Sequence, residues 1–148
     1  KSLSSRTTGA PSKNSVSVES TTTLSKKVLV ADDDNFNINL MTNFLKKLGK
    51  EYIVAHNGEE LVQKFRENYQ EIEMVITDNH MPKLEGKEAA RIIATEIEDH
   101  HLSKVPIYMV TADDRAILKE DYGYYGITEV INKPIDFERL KKRIVCYT

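Results

Sequence analysis

The 148 residues leave room for one domain with a real hydrophobic core and hardly for two, so a single functional site is expected. Hydrophobic residues make up 40% and charged residues 30%, and no apolar run approaches the roughly 20 residues that cross a bilayer, which leaves no membrane-spanning segment. Charge is uneven: through Lys27 there are five basic residues and one acid, net +4, while the remainder carries sixteen basic and twenty-two acidic residues, net −6, and so acidic a body argues against nucleic acid as the main partner.

Residues 1–25 are Ser, Thr, Lys, Gly and Pro with almost no large apolar side chain, too little buried surface to offset ordering entropy, and are expected to be a disordered Ser/Thr-rich linker. The chain starts on lysine, so a piece of a longer protein is expected. From residue 26 to 148 the pattern changes to short apolar runs separated by amphipathic stretches. The runs 27–31 (KVLVA), 52–55 (YIVA), 74–77 (MVIT), 105–110 (VPIYMV) and 129–131 (EVI) are rich in β-branched residues and lack clean alternation, as strands covered on both faces do. Between them the spacing predicts helices over 37–48, 59–69, 85–98, 115–122 and 137–147. In the first, Ile38, Met41, Leu45 and Leu48 make one apolar face and Gly49 ends it; in the last, Leu140, Ile144 and Tyr147 do so, with Asp136 as N-cap. Cys146 has no partner for an intrachain disulfide and no secretion signal is visible, so a reducing, cytosolic setting is expected.

Five strands alternating with five helices predict an α/β fold, a parallel sheet with helices on both faces, whose ligand site lies beyond the C-terminal strand ends. After strand one come Asp32, Asp33 and Asp34; after strand three, Asp78; after strand four, Thr111; after strand five, Asn132, Lys133 and Pro134. Several acids on one sheet edge repel by kilocalories if left bare, so a cation belongs there, and Mg²⁺ (or Mn²⁺) takes carboxylate and carbonyl oxygens. Lys133 adds positive charge and Thr111 a hydroxyl, a set suited to the oxygens of a phosphoryl group on Asp78.

The combination of ADDD, TDNHMPKLEG, VTA and NKP, in that order over residues 26–148, resembles the receiver domain of two-component response regulators. The resemblance implies a flavodoxin-like (CheY-like) doubly wound (βα)5 fold with sheet order 2-1-3-4-5. It also implies a phosphorelay reaction in which a phosphohistidine on a histidine kinase or histidine phosphotransfer protein gives its phosphoryl group to a receiver aspartate. Carried onto this chain, Asp78 is the phosphoacceptor, Asp32, Asp33 and Asp78 hold Mg²⁺ together with the backbone carbonyl of His80, Thr111 bonds the phosphoryl group and Lys133 pairs with it. The bond before Pro134 is expected to be cis. Such a domain catalyses its own phosphorylation and dephosphorylation without being an enzyme of the ordinary kind, and signals by changing conformation; a monomer with no nucleic-acid or membrane contact is expected.

The first helix, with Asn37, is similar to receivers at the C-termini of hybrid histidine kinases, which implies the cytosolic part of a sensor. Val130 stands where receivers commonly carry Tyr or Phe, three residues before the lysine, and Asp34 adds a third acid. The His80 side chain is expected to face solvent, since no second histidine or cysteine is spaced to join it on zinc. His100 and His101 are expected to be exposed, and Tyr122, Tyr124 and Tyr125 to pack or turn before strand five. A second reading is a haloacid-dehalogenase-like phosphatase, with Asp32 as nucleophile and Asp34 as general acid. That motif normally continues into Thr or Val where this chain has Phe36, and it would leave Asp78 without a task.

Overall fold

In the computed structural model, which describes residues 26–113 and 115–147, the expected strands pair in one parallel sheet of order β2-β1-β3-β4-β5. They are β1 (Lys27–Ala31), β2 (Glu51–Ala55), β3 (Ile72–Asp78), β4 (Ile107–Thr111) and β5 (Glu129–Asn132). The helices are α1 (Asn35–Lys47), α2 (Gly58–Asn68), α3 (Gly86–Asp99), α4 (Tyr122–Tyr125) and α5 (Phe137–Tyr147). The linker expected over residues 1–25 lies outside the described residues. None of these helices is long and apolar enough to cross a membrane.

The two-residue period of the strands divides the interior into two cores. On one face Leu29, Ala31 and Val75 pack against Leu61 and Phe65 of α2 and Ala90 and Ile93 of α3. On the other, Val28, Val30, Met74 and Ile76 pack against Ile38, Met41 and Leu45 of α1 and Leu140 and Ile144 of α5. Both faces of the central strands are therefore dry, which is why those runs read as continuously apolar.

Helix ends follow local chemistry. Asp34 caps α1, its carboxylate accepting the Phe36 N–H at 2.9 Å, and Lys46 and Lys47 sit in the last turn, where the helix dipole favours cations. Asn57 caps α2 by accepting the Glu60 N–H at 2.8 Å, while the Glu60 carboxylate reaches back to the His56 N–H at 2.7 Å. Asp136 accepts the Arg139 N–H at 3.2 Å, the N-cap expected for α5.

Two expectations need correction. The predicted helix over 115–122 does not form: the Asp113 side chain accepts the Arg115 N–H in a local turn, Leu118 is extended, and a 3₁₀ turn (Lys119–Asp121) leads into the four residues of α4. Ile117 is buried there while Leu118 is exposed. Gly126, with φ 72°, ends α4. The fourth strand starts at Ile107 rather than at 105, since Pro106 has no N–H for a ladder; its carbonyl still accepts from Val75 at 3.0 Å.

Candidate functional site

β3 delivers Asp78 as its last residue, still in the ladder beside Val110, with only 6% of its surface exposed. The apolar run before it gives the burial that holds this strand end in place. Beyond β1, Asp32 extends the sheet pairing by one step, its N–H donating to the Ala55 carbonyl at 3.1 Å. The Asp32 carboxylate accepts the Asp34 N–H at 2.9 Å. Asp33 is exposed.

One carboxylate oxygen from each of Asp32, Asp33 and Asp78 lies within 4.8 Å of the others. Lys133 reaches the same point, its Nζ 3.0 Å from Asp78 Oδ1. It is carried there by the β4–β5 pairing, for Thr111 pairs with Asn132 and the Lys133 N–H donates to the Thr111 carbonyl at 3.0 Å. The Lys133–Pro134 peptide bond is cis, as the resemblance implies. Thr111 is buried at the end of β4 and its hydroxyl accepts the Asp113 N–H at 3.1 Å.

Three carboxylates face one ammonium, so the edge carries surplus negative charge. At the observed spacing each like pair repels by about 3 kcal/mol for an effective dielectric near ~20. Burial pushes the Asp32 carboxyl above its ordinary value, and the Asp78 charge adds to this against the Asp34 amide and Lys133. Hard oxygen donors, close together and under-neutralised, fit a divalent cation such as Mg²⁺. His80 is exposed two residues beyond Asp78, and His100 and His101 are exposed at the end of α3, so all three imidazoles stand as expected. Asp32 and Asp78 also line a cavity of about 240 Å³ whose walls include Leu40, Met41, Ile135 and Phe137.

Asp34, the general acid of the phosphatase reading, is committed to capping α1. Two site residues were missed by sequence reasoning. Thr77, fully buried, donates its hydroxyl to the Asp78 carbonyl at 2.9 Å, and Asn79 is 1% exposed. The available signal was a run of polar residues continuing straight out of a buried strand.

Comparison with known proteins points the same way. The model of the family described as "Response regulator receiver domain" matches residues 28–145. A peroxide stress-activated histidine kinase, mak3, of Schizosaccharomyces pombe is 30% identical over 124 residues, covering 82% of this chain and 5% of the kinase. Hybrid signal transduction histidine kinase I of Dictyostelium discoideum is 30% identical over 128 residues, covering 84% and 7% respectively. This chain thus spans a small fraction of the length of those relatives. Among solved structures, the receiver domain of Ssk1, from its co-crystal with the histidine phosphotransfer protein Ypd1 of Saccharomyces cerevisiae, superposes with TM-score 0.74 at 25% identity, covering 83% of this chain and 88% of that one. The CheX–CheY–BeF3–Mg²⁺ complex of Borrelia burgdorferi contains a chain matching with TM-score 0.72 at 27% identity, covering 84% and 90%.

Proposed function

This chain belongs to the response regulator receiver domain family, and from that membership we propose that Asp78 is its phosphoacceptor in a phosphorelay. The observation that carries the reading is the Asp78 carboxylate itself. It is buried at the end of the central strand, 3.0 Å from the Lys133 ammonium and in one oxygen cluster with Asp32 and Asp33.

The chemistry follows from those positions. An Asp78 oxygen attacks phosphorus in line as the P–N bond to a partner's phosphohistidine breaks; the bonding pair returns to the imidazole nitrogen, which takes up a proton, and an aspartyl phosphate remains. Lys133, already beside Asp78, offsets charge on the transferred oxygens. The Thr111 hydroxyl exchanges its bond with the Asp113 amide for one to the phosphoryl group. Asp32, Asp33, Asp78 and the His80 carbonyl would hold Mg²⁺ or Mn²⁺, which supplies charge neutralisation to the phosphoryl oxygens.

The partner is a histidine kinase or a histidine phosphotransfer protein, and it meets the receiver over α1, where Phe36 and Leu40 are exposed large apolar residues and Leu40 lines the cavity beside the acids. Likeness to mak3 and kinase I supports a place within a hybrid histidine kinase, after a linker at residues 1–25, on the cytosolic side. The domain acts as a monomer without nucleic-acid or membrane contact of its own. With Mg²⁺ and acetyl phosphate, intact-mass measurement is expected to show one added phosphoryl group, absent in Asp78→Asn. Labelling that survives Asp78→Asn and vanishes in Asp32→Asn would support the phosphatase chemistry instead.

A further inference from the structure

Helix α3 begins 8 residues after Asp78 and lacks an N-cap of its own: Glu85 stands at the cap position and makes no side-chain bond to the helix. The missing acceptor comes from a distance. Asn79 Oδ1 accepts the Lys87 N–H at 3.0 Å, and the Asn79 carbonyl accepts the Gly86 N–H at 2.8 Å. On its other side the Asn79 N–H donates to the Val110 carbonyl of β4 at 3.1 Å. One buried residue thus joins the end of β3, the end of β4 and the first turn of α3.

The packing leaves no slack there. A Cβ on Gly86 would lie 2.2 Å from the Asp78 carbonyl oxygen and 2.9 Å from Asn79 Cα, so the first turn of α3 presses on the backbone that carries the acceptor. Lys87 extends the connection: its Nζ donates to the Ala116 carbonyl at 3.4 Å and lies 5.7 Å from the centre of the Tyr125 ring. The loop after β3 and the loop after β4, which flank the Asp78 carboxylate and the Thr111 hydroxyl, are therefore tied to the same helical turn.

We propose that Asn79 is a positioning residue for metal binding and phosphoryl transfer, its side-chain carbonyl clamping the first turn of α3 so that the Asp78 carboxylate and the His80 carbonyl hold a fixed relation. The inference rests on Asp78 being the phosphoacceptor and goes beyond it by assigning a task to its neighbour. Asn79 does not touch the transferred group. It acts through the backbone on either side, as outer-shell residues orient metal ligands.

The test compares Asn79→Leu, which keeps the size and removes the acceptor, with Asn79→Asp, which keeps the acceptor. Three quantities are read: hydrogen exchange at the Lys87 amide, Mn²⁺ affinity by calorimetry, and the rate of phosphorylation by acetyl phosphate as a function of Mg²⁺. Asn79→Leu is expected to expose the Lys87 amide and to weaken metal binding by about tenfold, the usual scale for an outer-shell partner. Its phosphorylation is slow at limiting Mg²⁺ and approaches the unsubstituted rate at saturation, whereas Asn79→Asp restores both amide protection and metal affinity. A variant that loses Lys87 protection yet keeps its Mn²⁺ affinity overturns the proposal, as does an Asn79→Asp protein as weak as Asn79→Leu. Should Asn79→Leu not fold, Asn79→Ala carries the same comparison with the same two outcomes. Failure of the underlying reading is separate, since the unsubstituted protein would then not be phosphorylated at Asp78 at all.

Discussion

Asp32 shows what the site costs the fold. Its carboxyl is buried beside Asp78 and held above its ordinary value, so at neutral pH the charged form is less favourable in the folded chain than in the unfolded one. Asp32→Asn keeps an oxygen for the Asp34 N–H and removes the charge. In the absence of metal it is expected to raise stability, by up to about 1 kcal/mol, while weakening divalent-cation binding. Urea denaturation without and with Mg²⁺ measures both; a variant less stable than its parent without Mg²⁺ would contradict the electrostatic reading. Residue types and strand-end positions made Asp32, Asp33, Asp78, Thr111 and Lys133 visible in the sequence, because each is a polar residue at the close of an apolar run. Asn79 was hidden by its position next to Asp78, where an amide reads as the start of a solvated turn. Only the three-dimensional approach of Gly86 and Lys87 turns it inward.

At the scale of elements, α1 does two jobs with two faces. Ile38, Met41 and Leu45 fasten it to the sheet, while Phe36 is 68% exposed and Leu40 45%. Both are apolar side chains left in solvent, Leu40 lining the same cavity as Asp78, and they suit the protein partner proposed above. Phe36→Ala and Leu40→Ala are each expected to weaken transfer from a phosphohistidine partner by about 1–2 kcal/mol and to leave acetyl phosphate labelling unchanged. Equal loss with both donors would place these residues in the fold or the chemistry rather than the interface. β5 and α5 are joined by Glu129, which bonds Arg143 Nε and Arg139 Nη2, both at 2.8 Å. The hydrogen bond from Arg143, helped by the charges of both arginines, outweighs partial burial and holds the Glu129 carboxyl below its ordinary value of 4.5. A lowered folded value means that this contribution is complete above about pH 4.5 and is lost as pH falls below it. Glu129→Gln is expected to cost roughly 0.5–1 kcal/mol at pH 7, given the exposed arginines, and the difference from the parent should shrink as the pH is lowered through that range. A pH-independent difference in denaturation midpoints would exclude this origin. The same region marks the limit of pattern reading. α1 and α5 announce themselves by apolar residues at helical spacing, whereas residues 115–122 mimic a helix through composition, and the extended backbone at Leu118 that interrupts it leaves no periodic trace.

For the molecule as a whole, strand order was legible only through resemblance. Alternating strands and helices require a parallel sheet, but several orders satisfy that requirement; 2-1-3-4-5 came with the receiver motifs and is the order found. The order matters because it places β3 between β1 and β4, bringing Asp78 beside Asp32 on one side and Thr111 on the other. Sequence spacing fixed which strand ends carry the groups, and topology decides which of them meet. At this meeting point Asp78 is the proposed nucleophile. Borohydride reduces an aspartyl phosphate to homoserine, so treating the acetyl phosphate-labelled protein and fragmenting its peptides locates the acceptor by mass. The result expected is homoserine at position 78 alone, and homoserine at 32, 33 or 34 with none at 78 would contradict it.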